Sequence, residues 1–262
     1  MHLHTVTPRS GLIWVKQGIQ TFWRQPVALT GLFFLFMALV SVLSMLPYLG
    51  SALALAVLPA ATLGLMVATE QASLGKFPMP TVLMIAFRAG QQRLRAMLIL
   101  GLVYAGGFLL VMGLSALIDG GGFAKVYLAN APITAELINS SDFQSAMWVA
   151  TVLYLPLSML FWHAPALVHW HGVPPLKSLF FSWVACWRNL GAFSVYLLAW
   201  AGVFMSGVAV VLAISSALGG ADMVAASLVP GALLMAAMFF TSIYFSVRDC
   251  FDLPVPGAQT QA

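Results

Sequence analysis

Three histidines, His163, His169 and His171, lie close together in the 262-residue sequence. Imidazole is a common ligand of zinc and other transition metals, so this cluster is a candidate metal site. On an α-helix, however, residues six apart differ by about 600°, or 240° net, so His163 and His169 point away from each other. No Asp, Glu or Cys lies nearby in sequence to complete a ligand set. We therefore expect interfacial or proton-sensitive histidines rather than a metal site.

A second group of residues offers charge and hydrogen bonds. It consists of Lys177, Arg188, Asn189, Arg248 and Asp249. Arg and Lys side chains at helix ends can bind a lipid phosphate. Alternatively, the long basic side chains only reach the membrane interface and fix the depth of their helices, and Asp249 forms a structural pair with Arg188 or Arg248. Both interpretations stay open, and these residues are candidate contacts for a lipid or a solute.

Glu70 is an acid at the end of a long apolar run. Acids inside membrane segments are candidates for function, because an unpaired charge is costly there. At the interface the cost is small, and an ion pair with Lys76 or Arg95 would neutralise Glu70. We keep Glu70 as a candidate solute contact beside this structural interpretation.

The motifs of common catalytic sites are absent from the sequence. It contains no P-loop, no GxSxG elbow and no HExxH pair, and no nucleophile is followed by a recognisable base. Cys186 and Cys250 stand alone, without CxxC spacing. We therefore predict a protein that is not an enzyme and that needs no metal or other cofactor.

The composition indicates an integral membrane protein. Hydrophobic residues make up 61% of the chain and charged residues only 7%, whereas about 25% is typical of soluble domains. Apolar runs long enough for a membrane helix, which takes about 20 residues, recur along the chain. The net charge of +4 comes from basic residues beside these runs, so we expect no nucleic-acid binding. The prediction is an all-α single membrane domain over residues 1–262.

Six spans can be placed: Val27–Leu46, Ser51–Thr69, Ala96–Ile118, Ala146–Val168, Leu190–Leu218 and Met223–Val247. The second span carries a small residue at every fourth position, and the third is rich in glycine. Small residues let membrane helices approach closely, so we predict tight packing of these spans. A small stripe can also line a pore, which is the alternative. A short turn at Pro47–Gly50 joins the first two spans.

Three amphipathic segments are predicted to be interfacial helices: Ser10–Gln25, Met79–Arg95 and Pro174–Arg188. In the third, Ser178, Ser182 and Asn189 form one stripe. An amphipathic helix followed by a span, a turn and a second span then recurs in residues 10–74, 79–170 and 174–247. This pattern predicts a pseudo-threefold repeat.

The basic residues predict the orientation. With the amino terminus in the cytoplasm, all of the 11 Lys and Arg residues except Lys125 lie on the inner side, as the positive-inside rule requires. Both termini are then cytoplasmic. Residues 119–144 form a periplasmic loop with at most a helical turn at Ala135–Ile138, and such a long loop is a candidate contact for a protein partner. Residues 252–262 are predicted to be a disordered tail.

Two stretches carry a resemblance to known proteins. The first runs from Ala164-Pro165-Ala166-Leu167-Val168 through Gly172, Lys177, Ser178 and Arg188-Asn189, and the second is Tyr244–Phe251. In these the chain resembles a family of uncharacterised six-helix inner-membrane proteins of Gram-negative, chiefly beta-proteobacterial, bacteria. A looser likeness links it to the membrane domain joined to some glycerophosphodiester phosphodiesterases. The resemblance implies a fold and a location but no activity.

Together these observations predict a non-enzymatic inner-membrane protein with a membrane-organising, lipid-associated or assembly role. Its amphipathic helices would engage membrane lipids, chiefly anionic headgroups. The alternative is a small carrier or channel with a path near Glu70, His163 and Arg188. A carrier requires a polar cavity at mid-bilayer depth, and the sequence places few polar residues there.

Overall fold

The computed structural model describes residues 2–46, 49–129, 131–218 and 220–253. Part of the predicted turn Pro47–Gly50 and most of the tail 252–262 lie outside these residues. A 3₁₀ turn covers Pro80–Met84, and an isolated antiparallel bridge joins Leu3 to Phe251. No strand occurs among the described residues. The α-helices are α1 (Ser10–Arg24), α2 (Pro26–Ser44), α3 (Gly50–Ser73), α4 (Ile85–Arg88), α5 (Gln91–Asp119), α6 (Gly122–Ala129), α7 (Ala135–Asn139), α8 (Ser141–Phe161), α9 (Ala164–His171), α10 (Pro175–Arg188), α11 (Leu190–Leu218) and α12 (Gly220–Cys250).

Six helical segments within the described residues are long and apolar enough to cross a membrane, which confirms the predicted all-α fold and number of spans. Their outer surfaces are apolar: Leu198 and Met205 on α11 are 72% and 74% exposed. Side chains of this kind are stable on a helix surface that faces lipid. The six segments are Pro26–Ser44, Gly50–Ser73, Gln91–Asp119, Ser141–His171, Leu190–Ala217 and Ala226–Cys250.

The helices form two compact units. Unit 1 comprises Met1–Leu35, Thr62–Ile85 and Val184–Ala262, and unit 2 comprises Phe36–Ala61 and Ala86–Trp183. Each unit collects segments from distant parts of the sequence, and neither coincides with a predicted repeat. The threefold plan therefore stays a prediction.

In unit 1, α1 packs against both α11 and α12. Its buried face contains Trp14 and Phe22, which are fully buried, and the Trp14 ring lies 5.3 Å from the ring of Phe193. Two glycines permit the close approach: a Cβ on Gly11 would meet the backbone of α11, and a Cβ on Gly18 would overlap Ser242 on α12. The helix predicted over Ser10–Gln25 is confirmed, and its apolar face is occupied by these neighbours.

In unit 2, α5 packs against α8 and α3. Gly101 lies directly against the backbone carbonyl of Ala56, and a Cβ at Gly107 would meet the side chain of Leu157. The hydroxyl groups of Tyr104 and Tyr154 lie 3.1 Å apart across α5 and α8. The contact between Gly101 and Ala56 confirms tight packing at the predicted small residues.

The prediction of one amphipathic helix over Met79–Arg95 is wrong. The 3₁₀ turn is followed by the single turn of α4, and Gly90 then adopts a φ of +94°. A residue in this left-handed region interrupts a helix, and glycine adopts it without steric cost. The polar run from Gln91 to Arg95 therefore begins the membrane-crossing α5 and belongs to no separate surface helix.

The periplasmic loop predicted over residues 119–144 contains more structure than expected. The Asp119 carboxylate accepts hydrogen bonds from the backbone N–H groups of Gly121, at 2.8 Å, and Phe123, at 2.6 Å. These bonds satisfy N–H groups at the start of α6, which otherwise lack helical partners. Ser51 donates to the carbonyl of Leu128 at 2.7 Å. The helical turn expected at Ala135–Ile138 is confirmed as α7.

Candidate functional site

Lys177 and Arg188 stand at the two ends of α10, and both side chains are exposed. Neither makes a hydrogen bond or an ion pair with the residues that the structure describes. Large apolar side chains accompany them: Leu176, Phe180 and Trp187 are also exposed. The outer surface of α10 thus combines free positive charge with apolar and aromatic groups, as expected for a helix in the headgroup region.

Asn189, between α10 and α11, is buried. Its side-chain oxygen accepts from the backbone N–H of Val6 at 2.8 Å. Its amide nitrogen donates to the carbonyls of His4, at 3.1 Å, and Ala185, at 3.0 Å, and lies 3.7 Å from the sulfur of Cys250. The side chain therefore fastens the amino-terminal segment to the end of α10. In this structure the amide contacts protein groups. Its predicted role as a lipid or solute contact stays a prediction.

Arg248 and Asp249 at the end of α12 belong to one polar network. Asp249 pairs with Arg248 at 2.9 Å, which confirms one of the two pairings expected from the sequence. The other carboxylate oxygen accepts from the indole Nε1 of Trp14 at 2.9 Å. The Arg248 guanidinium donates to Gln17 at 3.0 Å and lies over the ring of Phe245. This network joins α1 to α12.

The three histidines lie at the two ends of α9 in unit 2: His163 just before it, and His169 and His171 in its last turn. His163 is buried at the break between α8 and α9, and its backbone N–H donates to the Ser182 hydroxyl at 2.9 Å. Half-buried His169 lies near the end of α9, where Arg93 acts on it electrostatically. His171 is the last residue of α9. Among the described residues, no group of three or more His, Cys, Asp or Glu side chains is placed to hold a metal ion.

Ser182 bridges two backbone groups at the break in the fourth span. Its hydroxyl accepts from His163 N–H and donates to the carbonyl of Met159 at 2.7 Å. Ser182 on α10 therefore hydrogen-bonds to the backbone on both sides of the break between α8 and α9. The stripe of Ser178, Ser182 and Asn189 was the sequence signal for these contacts, since all three residues are buried and face inward.

Replacing Ser182 with alanine should destabilise the protein by about 1–3 kcal/mol, because the N–H of His163 and the carbonyl of Met159 both lose a buried partner. The measurement is the unfolding midpoint in detergent micelles. Ser158→Ala is the matched control, since within the described part of the chain Ser158 bonds only to the carbonyl of Leu155 in its own helix. Equal midpoints for the two variants would contradict the assigned bridge.

Glu70 is half-buried near the end of α3 in unit 1. Lys76 and Tyr244 lie close enough to interact with it electrostatically. The interaction with Lys76 agrees with the structural interpretation of Glu70. The backbone carbonyl of Lys76 in turn accepts from the Gln25 side chain at 3.1 Å.

The two cysteines are buried free thiols. Burial raises the pKa of the Cys186 thiol, and Cys250 nearby raises it further. The thiolate is the nucleophilic form of cysteine, and reactive cysteines are partly exposed and have a lowered pKa. Cys186 has the opposite environment.

A cleft of about 480 Å³ lies in unit 2 beside the start of α5. One wall carries Gln91, Gln92, Arg93 and Arg95, and the other is the turn Gly172–Pro175 after α9. Sequence reasoning missed this site, because the basic residues were assigned to a surface helix that does not form. The signal was present as the closely spaced Arg93 and Arg95 before an apolar run.

A comparison with known proteins supports the membrane assignment. Over 261 residues the chain is 37% identical to a protein of Burkholderia thailandensis described as a probable inner membrane protein, and the alignment covers 98% of this chain and 97% of that protein. No family model matches the chain, and no solved structure matches it. The predicted resemblance to inner-membrane proteins is supported at this level. The looser likeness to the membrane domain of glycerophosphodiester phosphodiesterases has no support.

Proposed function

Because the chain belongs to the family of the Burkholderia thailandensis probable inner membrane protein, we propose that it is a non-enzymatic protein of the inner membrane that associates with anionic lipids. Its cytoplasmic face binds their headgroups, and both termini lie on that side. In this way the protein organises lipid, or holds partners, at the membrane surface. The observation that carries the proposal is the exposed surface of α10.

The α10 surface has the composition of a headgroup-binding helix. Lys177 and Arg188 have no partner among the described residues, so their charges are available to lipid. Exposed Phe180 and Trp187 supply rings that are favoured at the depth where headgroups meet acyl chains. Each Lys or Arg near an anionic membrane surface contributes about 1 kcal/mol of attraction.

The α1 helix adds a second surface of the same kind. Its inner face is used against α11 and α12, and its outer face exposes Lys16, Gln20 and Arg24 together with Leu12 and Trp23. Basic and apolar side chains therefore alternate on the outside of this helix. Such a surface suits the boundary between headgroups and acyl chains better than bulk water.

Segment 119–144, on the opposite side in this topology, is the proposed contact for a protein partner. It exposes the large apolar side chains of Tyr127, Ile133 and Ile138. Contiguous exposed apolar patches mark protein–protein contacts, and we propose that these three side chains belong to such a patch. This role is independent of lipid binding on the cytoplasmic side.

Lipid association is tested by the double variant Lys177→Gln/Arg188→Gln. Adding phosphatidylglycerol to the detergent-solubilised wild type should raise its melting temperature, because a ligand that binds only the folded state stabilises it. The double variant should show at most about half of this rise, since two of the attracting charges are removed. Its melting temperature without lipid should equal that of the wild type, because both side chains are exposed and unpaired.

Lys125→Gln is the control for this experiment. Lys125 is exposed but lies on α6 in the segment assigned to the opposite side. It should retain the full response to phosphatidylglycerol. An equal loss of response in the control and in the double variant would contradict a specific role of α10.

A further inference from the structure

The cleft beside the start of α5 carries two arginines on one wall. Arg93 and Arg95 and the amides of Gln91 and Gln92 all line it, and none of the described residues that line it is a carboxylate. Neither arginine makes an ion pair with any residue that the structure describes. The cleft therefore presents positive charge and amide donors without an internal counter-charge.

The acids of unit 2 are too distant to supply that counter-charge. Asp119 lies at the opposite end of the 29-residue α5, about 36 Å along the helix from Arg95 at 1.5 Å per residue. Both of its oxygens already accept from backbone N–H groups. Glu136 and Asp142 belong to the same segment between α5 and α8. An anion from outside the unit is thus the natural partner of Arg93 and Arg95.

The cleft also has an apolar wall that continues along α5. Ala96, Ile99 and Val168 line its inner part. On the same helix, Leu98 precedes Ile99 and Leu102 follows it, and both are exposed, the latter by 68%. A ligand with a phosphate at the arginines and a hydrocarbon chain along this wall would satisfy both parts of the surface. A free phosphate ion would use only the charged part.

Resting on the proposed lipid association, we propose that the cleft between the start of α5 and the turn Gly172–Pro175 binds one anionic phospholipid. The phosphodiester lies between Arg93 and Arg95, with Gln91 and Gln92 as further donors, and an acyl chain follows Ile99 along α5. Basic pockets between membrane helices are known sites of this kind for lipid headgroups. The volume of about 480 Å³ lies within the range of small-molecule sites.

The test is native mass spectrometry of the delipidated full-length protein titrated with phosphatidylglycerol. The wild type should bind one molecule with saturation ahead of any further lipids. In Arg93→Gln/Arg95→Gln the affinity for this first molecule should fall by at least about tenfold, because two charge-assisted contacts are lost. Arg95→Gln alone should show an intermediate loss. Arg95 is exposed, so this single variant tests the site even if the double variant folds poorly.

Arg88→Gln is the matched control, since Arg88 is exposed on α4 and does not line the cleft. It should bind the first lipid as the wild type does. Millimolar inorganic phosphate should not displace that lipid, and phosphatidylcholine should not occupy the site with equal affinity. Displacement by phosphate would overturn the assignment to a phospholipid.

The outcomes also separate this site from the proposed function. If the first lipid is lost in Lys177→Gln/Arg188→Gln but kept in Arg93→Gln/Arg95→Gln, the cleft is not the site, and lipid association through α10 stands. If the wild type binds phosphatidylglycerol no better than phosphatidylcholine, both the cleft site and the proposed function are overturned.

Discussion

Replacing Gly18 with leucine is expected to release α1 from the pair of α11 and α12 and to destabilise the protein by about 3 kcal/mol or more. A side chain at this position would overlap the Cβ and the backbone of Ser242, and overpacking of a tight contact costs about 1–3 kcal/mol. Ser242 also accepts from the indole of Trp200 at 3.1 Å and hydrogen-bonds to the Tyr196 hydroxyl at 2.6 Å. Displacing Ser242 breaks these buried bonds, at about 1 kcal/mol each.

Gly31→Leu on α2 is the matched control for this prediction. A Cβ at Gly31 meets no atom within 4 Å, and leucine favours a helix over glycine by about 1 kcal/mol. The control should therefore be as stable as the wild type or slightly more stable. Unfolding by denaturant in detergent micelles measures both variants. Equal loss of stability in Gly18→Leu and Gly31→Leu would mean that α1 is not docked at Ser242.

The second large effect is expected at Asn189. In Asn189→Leu the backbone N–H of Val6 and the carbonyl of His4 lose their partner, and a leucine fills the same buried space without hydrogen bonds. These contacts are part-buried, and a group left without a partner in such a place costs about 1–3 kcal/mol, so we expect a loss of about 3 kcal/mol. The amino-terminal residues 2–9 should also exchange their amide hydrogens faster, because the side chain that fastens them is gone.

Hydrogen exchange and thermal unfolding together test this prediction. Asn139→Leu, at the exposed end of α7, makes the same chemical change without a buried partner. It should leave both the unfolding midpoint and the exchange of residues 2–9 unchanged. Normal protection of residues 2–9 in Asn189→Leu would contradict the role of Asn189 in holding the amino-terminal segment.

The spans were predictable because membrane helices depend on local properties of the sequence. A run such as Leu190–Leu218 is apolar along its whole length, and no distant residue is needed to recognise it. The same holds for the pair of Arg248 and Asp249, which are neighbours in the chain. The close contact of Gly101 with Ala56 was also indicated, since small residues are what such contacts require.

The predictions that were wrong or incomplete concern features that depend on single backbone angles or on residues distant in sequence. The polar periodicity of Met79–Arg95 predicts a helix, but the positive φ of Gly90 divides it and gives Arg93 and Arg95 to α5. The segment after Asp119 was predicted to be a loop, because a run of glycines is typical of loops. Hydrogen bonds from backbone N–H groups to Asp119 nevertheless stabilise the start of α6 there.

The role of Asn189 was hidden for another reason. Its partners His4 and Val6 are more than 180 residues away in sequence. Trp14 and Asp249 are a similar case, joined across 235 positions. Local patterns carry no information on such pairs, and only the packing of α1 on α11 and α12 brings them together.

We propose that the face assigned to the cytoplasm selects anionic phospholipid. The most direct measurement is extraction into lipid-bilayer particles without detergent, followed by mass spectrometry of everything that co-purifies. We expect phosphatidylglycerol and other anionic lipids to be enriched over the bulk membrane, and Lys177→Gln/Arg188→Gln to reduce this enrichment. Lipid of bulk composition together with a stoichiometric small solute would contradict selective lipid association and indicate the alternative carrier or channel.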